Sequence, residues 1–287
     1  MPTIKTEALT HVYSRGSPFE QTALENVTME IARGEFVGLI GRTGSGKSTF
    51  VQHLNGLLPP TGGRVLLDGA DINADKKRRR EARFRVGLVF QYPEYQLFEE
   101  TVYRDIAFGP RNMKLSGREI GERVREAARF VGVPETLFDK SPLELSGGQK
   151  RRVAIAGVIA MRPEALILDE PTAGLDPEGC ASILRNIAAY RRATGATVLL
   201  VSHSMEDVAR IAERLVVFDG GHIVMDGSPA QVFSQAEALR AIGLDVPVVT
   251  EIAARLHALG VVVPACCYTV PQLRNAVLAL RGGAADA

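Results

Sequence analysis

The chain has 287 residues, of which 46% are hydrophobic and 23% are charged, which is an ordinary composition for a globular protein of one or two domains. Its formal net charge of +1 provides no overall field that would attract nucleic acid or an anionic membrane. Cys180, Cys266 and Cys267 are too few and too poorly spaced for a disulfide framework or a zinc site, which favours a reducing compartment.

The first residues, MPTIKTEALTHVYSRG, lack the basic and apolar segments of a secretory signal. No run approaches the roughly 20 apolar residues that a membrane-spanning helix needs. We therefore expect any role at a membrane to be that of a peripheral subunit.

The N-terminal segments IKTEALTHVY and LENVTMEIARGE alternate apolar and polar residues and, with the hairpin arm GGRVLLDG, predict an antiparallel sheet. Nearly continuous apolar runs predict strands of a mostly parallel sheet buried on both faces. These runs are FVGLIG (36–41), RVGLVFQ (85–91), EALILDEP (164–171), TVLLVSH (197–203) and RLVVFDGGHIVMDG (214–227). Helical patterns between them, such as KSTFVQHLNGL and MEDVARIAERL, indicate an α/β fold.

Two further regions are predicted to be helical. Residues from about 92 to 165 contain no convincing strand and predict a helical subdomain inserted into the α/β core. After the strand pattern stops, VTEIAARLHALGV and TVPQLRNAVLALRGG predict helices, with Thr269 as the N-cap of the second. The predicted division is a main α/β domain over 1–230 and a small C-terminal helical appendage over 231–287.

The segment GRTGSGKST (41–49), called the phosphate loop below, fits the pattern G-x-x-x-x-G-K-[ST] between a predicted strand and a predicted helix. Its backbone amides are expected to cradle the β- and γ-phosphates of ATP. Lys47 supplies a positive charge there, and the Ser48 hydroxyl is a candidate ligand of Mg²⁺. The other predicted nucleotide contacts in this loop are Gly41, Thr43, Gly44, Ser45, Gly46 and Thr49.

Polar residues end three of the predicted strands. Asp169 is placed to hold Mg²⁺ and Glu170 to polarise the attacking water, because two acids at a buried strand end are costly without a cation. His203 is a candidate hydrogen-bond partner of the γ-phosphate, although a lone histidine at a strand end is more often structural. Gln91 is expected to bind Mg²⁺ or to orient water.

The segment LSGGQ (145–149), called the signature loop below, offers glycine backbone at the start of a second predicted helix but has no lysine. The chain contains, in this order, the phosphate loop, Gln91, the signature loop, LILDE, GLD (174–176) and His203. This ordered set of motifs resembles the ATP-binding cassette (ABC) ATPases over roughly residues 1–230. The resemblance implies a P-loop NTPase core, with a RecA-like parallel sheet, an antiparallel β subdomain and an inserted helical subdomain.

The same resemblance implies a head-to-tail dimer with ATP enclosed at two composite sites. The signature loop of one cassette then binds the nucleotide held by the other, through Ser146, Gly147, Gly148 and Gln149. It also implies that Asp176 crosses the dimer interface and that Tyr13 stacks on adenine. The alternative for Tyr13 is an ordinary exposed tyrosine of a strand.

A finer resemblance is to the ATPase subunits of energy-coupling factor (ECF) transporters, including the cobalt type, and most closely to their second ATPase subunit. It rests on FQYPEYQLFEETVYRDIAFGPRN (90–112), LSGGQKRRVAIAGVIAMRPEALILDEPTAGLDP (145–177) and SHSMEDVARIAERLVVF (202–218). The similarity to the second ATPase subunit rests on SPFEQTALENV, QHLNGLL and the tail IGLDVPVVTEIAARL. It implies ATP-driven uptake of vitamins or metal ions, with a transmembrane coupling subunit and a substrate-binding membrane subunit. A paralogous ATPase is the favoured dimer partner, with a homodimer left open, at the cytoplasmic face of the cell membrane.

Two surfaces are candidate contacts with a membrane or its proteins. The stretch YPEYQLFEET carries Tyr92, Tyr95, Leu97 and Phe98 close together, which predicts docking of a helix from a membrane subunit. The charge run DKKRRREARFR (75–85) contains a single aromatic residue, Phe84, so a solvated loop is favoured over a surface for anionic headgroups.

Two alternatives are less well supported by the sequence. A soluble ABC protein acting on nucleic acid or ribosomes would need a coiled-coil or zinc insertion or a second cassette, and the chain has neither, so no nucleic-acid partner is expected. An inert cassette is disfavoured because Glu170, His203, Gly147 and Gly148 are all present.

Overall fold

The structure is a computed structural model that describes residues 4–261, 263–264 and 267–283. Cys266 lies outside these ranges, as do residues 1–3 of the predicted main domain and residues 284–287 of the predicted appendage. The strands are β1 (Ile4–Tyr13), β2 (Gln21–Ile31), β3 (Phe36–Gly41), β4 (Gly62–Leu67), β5 (Ala70–Asp71), β6 (Val86–Val89), β7 (Ala165–Asp169), β8 (Thr197–Val201), β9 (Arg214–Asp219) and β10 (His222–Gly227).

The helices are α1 (Lys47–Leu54), α2 (Lys76–Arg85), α3 (Val102–Asn112), α4 (Gly117–Val131), α5 (Gly147–Ile159), α6 (Pro177–Thr194), α7 (Met205–Ile211), α8 (Pro229–Phe233), α9 (Ala236–Ala241), α10 (Val248–Ala258) and α11 (Val270–Gly283). Short 3₁₀ turns cover Pro93–Gln96, Glu135–Leu137 and Pro142–Glu144. No helix in the described ranges is both long enough and apolar enough to cross a bilayer.

The two predicted sheets are both present. One has the order β10-β9-β3-β8-β7-β6, with parallel pairing from β9 to β6 and an antiparallel edge strand, β10. The other has the order β2-β1-β4-β5 and is antiparallel. The runs that are continuous in sequence, β3, β7 and β8, are buried at every residue, as a parallel sheet covered on both faces requires.

The register of the parallel sheet brings four strand ends together. Val201 at the end of β8 pairs with Leu39 of β3 and with Asp169 of β7, and Leu168 pairs with Val89 of β6. The loops that follow these strands therefore emerge at one edge of the sheet, where ligands of open α/β sheets bind.

Helices cover the parallel sheet on both sides. On one side α1 buries Phe50 against Phe218 of β9, with ring centroids 5.1 Å apart. On the other side the insertion between β6 and β7 consists of α3, α4 and α5, which bury Ile106, Val124 and Ile155 in one core. The predicted helical insertion is confirmed by these three helices.

The charge run over 75–85 was predicted to be a loop, and this prediction is wrong. Residues 76–85 form the helix α2, which Asp75 caps by accepting a hydrogen bond from the backbone N–H of Arg78 at 2.8 Å. Lysine and arginine are good helix formers, and Ala82 supplies a small buried contact at 1% exposure. An N-cap and a buried alanine therefore stabilise a helix that the dense run of charges did not predict.

The appendage is helical, as expected, and α11 begins at the residue after Thr269. Its first part joins the ATPase core, because Phe233, Leu239 and Leu244 are buried in the same apolar cluster as the sheet. A separate small cluster forms further along, around Ala253 and Val263. The division at residue 230 stays a prediction.

Candidate functional site

The path of the phosphate loop depends on glycine at two close approaches. Gly41 has φ +156°, and a Cβ there would lie 2.4 Å from the carbonyl oxygen of Phe218. Gly46, with φ +103°, ends the loop as the N-cap of α1, and a Cβ there would lie 2.6 Å from the carbonyl oxygen of Ala23. Because backbone atoms cannot yield to a side chain, any other residue would displace the loop from the start of α1.

Lys47 lies at the centre of this loop and is buried at 8% exposure. Its Nζ donates hydrogen bonds to the carbonyl oxygens of Gly41 at 2.6 Å and Arg42 at 2.9 Å. Burial lowers the pKa of this ammonium group, while Glu170 and Asp169 act to raise it. A partly desolvated cation held within the phosphate loop is suited to a polyphosphate.

Asp169 offers a carboxylate with an unsatisfied oxygen. The residue is 5% exposed, and its Oδ1 has no hydrogen-bond partner among the described residues. Burial raises the pKa of this carboxyl, whereas the Ser48 hydroxyl and the Lys47 charge act to lower it. Hydroxyl and carboxylate oxygens are ligands that Mg²⁺ prefers, and Gln91 lines the same cavity, so the residues present fit this ion.

Glu170 and His203 form a hydrogen-bonded pair, with Nδ1 of the histidine 2.7 Å from Oε2 of the glutamate. Glu170 has φ +51°, an uncommon conformation for a residue other than glycine, directly after the last residue of β7. Burial raises the pKa of its carboxyl, and the charge and hydrogen bond of His203 act in the opposite direction. The geometry places a desolvated carboxylate beside the phosphate loop.

A cavity of about 890 Å³, called the nucleotide cavity below, joins these groups. The predicted site residues that line it are Tyr13, Gly41, Thr43, Gly44, Ser45, Gly46, Lys47, Ser48, Thr49, Gln91, Asp169, Glu170 and His203. Tyr13 is held at its rim, where its hydroxyl lies 3.1 Å from Oγ1 of Thr49 and its ring packs edge-on against His11.

Sequence reasoning missed part of the lining of this cavity. Arg42 and the appendage residues Gly243, Leu244 and Asp245 also line it. A Cβ on Gly243 would lie 3.0 Å from Cδ of Arg42, so the turn between α9 and α10 packs directly on the phosphate loop. No sequence motif predicts this contact, because the two segments are far apart in the chain.

The signature loop lies elsewhere. Ser146 caps α5 by accepting a hydrogen bond from the N–H of Gln149, and Oε1 of Gln149 accepts one from the N–H of Ser146. A second cavity of about 440 Å³, called the signature cavity below, is lined by Ser146, Gly148 and Asp176. Gly147 and Gln149 do not line it, and none of these five residues lines the nucleotide cavity.

The predicted site is therefore divided within one chain. The residues predicted to contact phosphate, metal and water line the nucleotide cavity, whereas Ser146 and Asp176 line the signature cavity. Asp176 caps α6 by accepting a hydrogen bond from the N–H of Gly179 at 2.6 Å, so its position is firmly set.

An exposed aromatic surface borders the helical subdomain. Its members, together called the aromatic surface below, are Tyr92, Tyr95, Phe98 and Phe108. Phe98 and Phe108 pack edge to face with centroids 4.9 Å apart. Leu97, predicted to belong to this surface, instead packs partly buried against the core, since the 3₁₀ turn Pro93–Gln96 directs it inward.

A buried ion pair connects this surface to the nucleotide site. Nη2 of Arg151, in α5, lies 2.8 Å from Oε1 of Glu94, and the arginine side chain is 3% exposed. Its Nη1 donates to the carbonyl oxygens of Pro171 and Ala173, in the turn that follows Glu170. One guanidinium thus joins the aromatic surface, the signature helix α5 and the segment after the candidate base.

Comparison with known proteins agrees with this geometry. Residues 24–173 match the family model described as ABC transporter. The chain is 55% identical over 276 residues to the energy-coupling factor transporter ATP-binding protein EcfA2 of Clostridium perfringens, covering 96% of this chain and 97% of that protein. It is 52% identical to the protein of the same name from Clostridium tetani, covering 96% of each chain.

Solved structures give the same result. The chain resembles cbiO1 of Clostridium perfringens, part of the ABC transporter complex cbiONQ, with a TM-score of 0.74 and 39% identity over 90% of this chain and 98% of that one. It also resembles the ATP-binding cassette MJ0796, solved as a dimer in a post-hydrolysis state with ADP and Pi. That likeness has a TM-score of 0.71 and 30% identity, covering 78% of this chain and 98% of that one.

Proposed function

The chain belongs to the ABC transporter family, as an ATP-binding subunit of an energy-coupling factor transporter, and we propose the following roles for its residues in coupling ATP hydrolysis to transport. It is an ATPase whose reaction drives a membrane importer. A soluble cassette acting on nucleic acid or ribosomes is not favoured. The observation that carries the proposal is the Glu170–His203 pair beside the phosphate loop, in a cavity separate from the signature loop.

ATP occupies the nucleotide cavity. The phosphate-loop amides and Lys47 bind the β- and γ-phosphates, and Tyr13 stacks on the adenine. Ser48, Asp169 and Gln91 would hold Mg²⁺, which when bound neutralises charge on the phosphates. Its unsatisfied Oδ1 supports this role for Asp169.

Glu170 acts as the base of hydrolysis. Its carboxylate accepts a proton from a water whose oxygen forms a bond to the γ-phosphorus, while the bond from that phosphorus to the bridging oxygen of ADP breaks. His203 holds the carboxylate in place through the 2.7 Å hydrogen bond and contacts the γ-phosphate. Burial favours the reaction because it leaves few waters to compete for the carboxylate.

The site is completed by a second cassette. Ser146, Gly147, Gly148 and Gln149 at the start of α5 contact the γ-phosphate held by the partner, and Asp176 crosses the interface. The division of these residues between two cavities supports this arrangement. The partner is a paralogous ATPase, with a second copy of this chain as the other candidate.

Transport is coupled through the aromatic surface, which receives a helix of a transmembrane coupling subunit. Movement there reaches the turn after Glu170 through Glu94 and Arg151. A substrate-binding membrane subunit completes the complex, and this chain is peripheral at the cytoplasmic face of the cell membrane.

Affinity purification of the tagged chain from native membranes, followed by identification of the recovered proteins, tests the assembly. We expect the coupling subunit, a substrate-binding membrane protein and a paralogous ATPase, the last in about equal amount. Recovery of this chain as the sole ATPase would establish a homodimer instead. Recovery of ribosomes or nucleic acid without membrane proteins would contradict the proposal.

A further inference from the structure

The helix α2 concentrates positive charge on one element of the molecule. Residues 75–85 contain seven basic and two acidic residues, a net charge of +5, whereas the other 27 basic and 31 acidic residues of the chain give −4. The overall charge of +1 therefore hides a concentration of positive charge on residues 75–85. An anionic partner would be attracted by this helix and not by the protein as a whole.

The charges in the first turn of α2 destabilise this helix. Lys76, Lys77 and Arg78 occupy the first three positions, and that turn contains no acidic residue. Cations at a helix N-terminus oppose the helix dipole, and like charges three or four residues apart repel each other. Residues that reduce local stability are expected where a function requires them.

These cations also lack fixed partners. In the part of the chain that the structure describes, the ammonium groups of Lys76 and Lys77 have no ion pair or hydrogen bond. Arg78 has only a loose, exposed pair with Asp75, at 3.7 Å. By contrast, Arg83 and Arg85, at the other end of α2, bond to Gly56 and to Glu164. The free charge is therefore confined to the N-terminal half of α2.

The basic helix adjoins the surface that is proposed to face the membrane subunit. Nη2 of Arg80 lies 3.3 Å from the carbonyl oxygen of Asn112, the last residue of α3. One turn earlier α3 carries Phe108, which packs on Phe98 of the aromatic surface. A cationic helix and an apolar docking surface thus form one continuous face.

We propose that the N-terminal half of α2 binds anionic phospholipid headgroups beside the docked membrane subunit. Clusters of four to eight basic residues on one helix are typical of contacts with anionic lipid. A protein partner is less suited, because lysine is depleted from protein interfaces, and single-stranded nucleic acid would need exposed aromatic residues to stack on its bases. The inference takes its membrane-facing orientation from the proposed function.

Vesicle co-sedimentation of the purified full chain tests this inference. We expect binding to phosphatidylcholine vesicles that contain phosphatidylglycerol, weak binding to phosphatidylcholine alone, and a decrease as salt rises. The triple variant Lys76→Gln, Lys77→Gln, Arg78→Gln should lose on the order of 100-fold in partition onto the anionic vesicles. Its thermal unfolding midpoint should not fall, because the lost charges oppose the helix dipole.

The matched control is Arg118→Gln, Arg125→Gln, Arg129→Gln, which removes the same charge from the exposed face of α4. It should bind the anionic vesicles as the parent does. Equal losses in both variants, or no preference of the parent for anionic vesicles, would overturn the proposal. So would binding only to vesicles that carry the reconstituted membrane partner, since a protein would then supply the negative charge.

The vesicle assay needs no nucleotide, so it is independent of the proposed function. Hydrolysis of ATP by the parent is measured separately, and the α2 variant should match it. A parent that binds anionic vesicles without hydrolysing ATP would contradict the proposed function alone, and the reverse result would contradict the lipid site alone.

Discussion

His203 holds Glu170 by a hydrogen bond of 2.7 Å between Nδ1 and Oε2, and Glu170 adopts a backbone conformation, φ +51°, that glycine would adopt more readily. The histidine and the local strain together position a half-buried carboxylate at the edge of the phosphate loop. This arrangement makes the roles of the two residues separable by experiment.

Glu170→Gln should abolish turnover while ATP binding persists. The amide cannot accept a proton from water, but Lys47 and Asp169 are unchanged, so we expect a loss of roughly 10²- to 10⁴-fold in kcat. Steady-state phosphate release and ATP titration measure the two effects. Glu122→Gln, on the exposed face of α4, is the matched control. Hydrolysis by Glu170→Gln close to the parent rate would remove Glu170 from the mechanism.

The pH dependence of kcat should report the Glu170 carboxyl. Burial raises its pKa above the ordinary 4.5 for this residue type, so the carboxylate is lost, and turnover with it, at a higher pH than for an exposed glutamate. His203 acts to lower this pKa, so His203→Ala should move the acid limb of the profile to still higher pH. The control His257→Ala, at an exposed position of α10 that does not line the cavity, should leave the acid limb in place. An acid limb at the parental pH or at a lower pH in His203→Ala would contradict the assignment of this limb to Glu170.

Tyr13→Ala should weaken ATP binding by about 1–3 kcal/mol, because it removes the ring that is proposed to stack on the adenine. Tyr13→Phe keeps the ring and loses only the contact with Oγ1 of Thr49, so it should bind nearly as the parent does. Calorimetric titration with ATP distinguishes the two variants. If Tyr13→Ala binds with parental affinity, the tyrosine is an ordinary strand residue.

The composite site is tested by Gly147→Asp in the Glu170→Gln background, where closed dimers should accumulate with ATP. The new carboxylate at the first position of α5 would face the γ-phosphate of the partner, so ATP-dependent dimers should disappear in gel filtration. Gly117→Asp is the control, because Gly117 occupies the same position in α4 after the same type of cap, formed by Ser116. Dimers that survive in Gly147→Asp would place the signature loop outside the site.

The aromatic surface is tested by Tyr95→Asp combined with Phe98→Asp. Both side chains are well exposed, at 85% and 66%, so the variant should fold and bind ATP. Leu97 is left intact because it packs on the core. Pull-down from detergent extracts should lose the coupling subunit, whereas Phe19→Asp combined with Leu259→Asp, equally exposed elsewhere, should retain it. Parental recovery by the first variant would locate docking on another surface.

Much of the fold and of the candidate site could be predicted from the sequence, because it depends on residues that are close together in the chain. The phosphate loop depends on glycines, a lysine and a serine within nine residues, and buried strands appear as continuous apolar runs. Parallel strands end at one edge of a sheet, so Gln91, Asp169, Glu170 and His203 could be placed near the loop before any coordinates. Their functional roles stay predictions.

Other features arise only from contacts between distant segments. The helix α2 depends on a cap and one buried alanine beneath a dense charge pattern, and the inward direction of Leu97 depends on a 3₁₀ turn. Arg151 meets Glu94 across 57 residues of sequence, and Gly243 reaches Arg42 from the appendage. Local pattern predicts most of the strands and the candidate phosphate loop. Tertiary packing decides which distant side chains share a buried space, because that depends on how whole elements are arranged against one another.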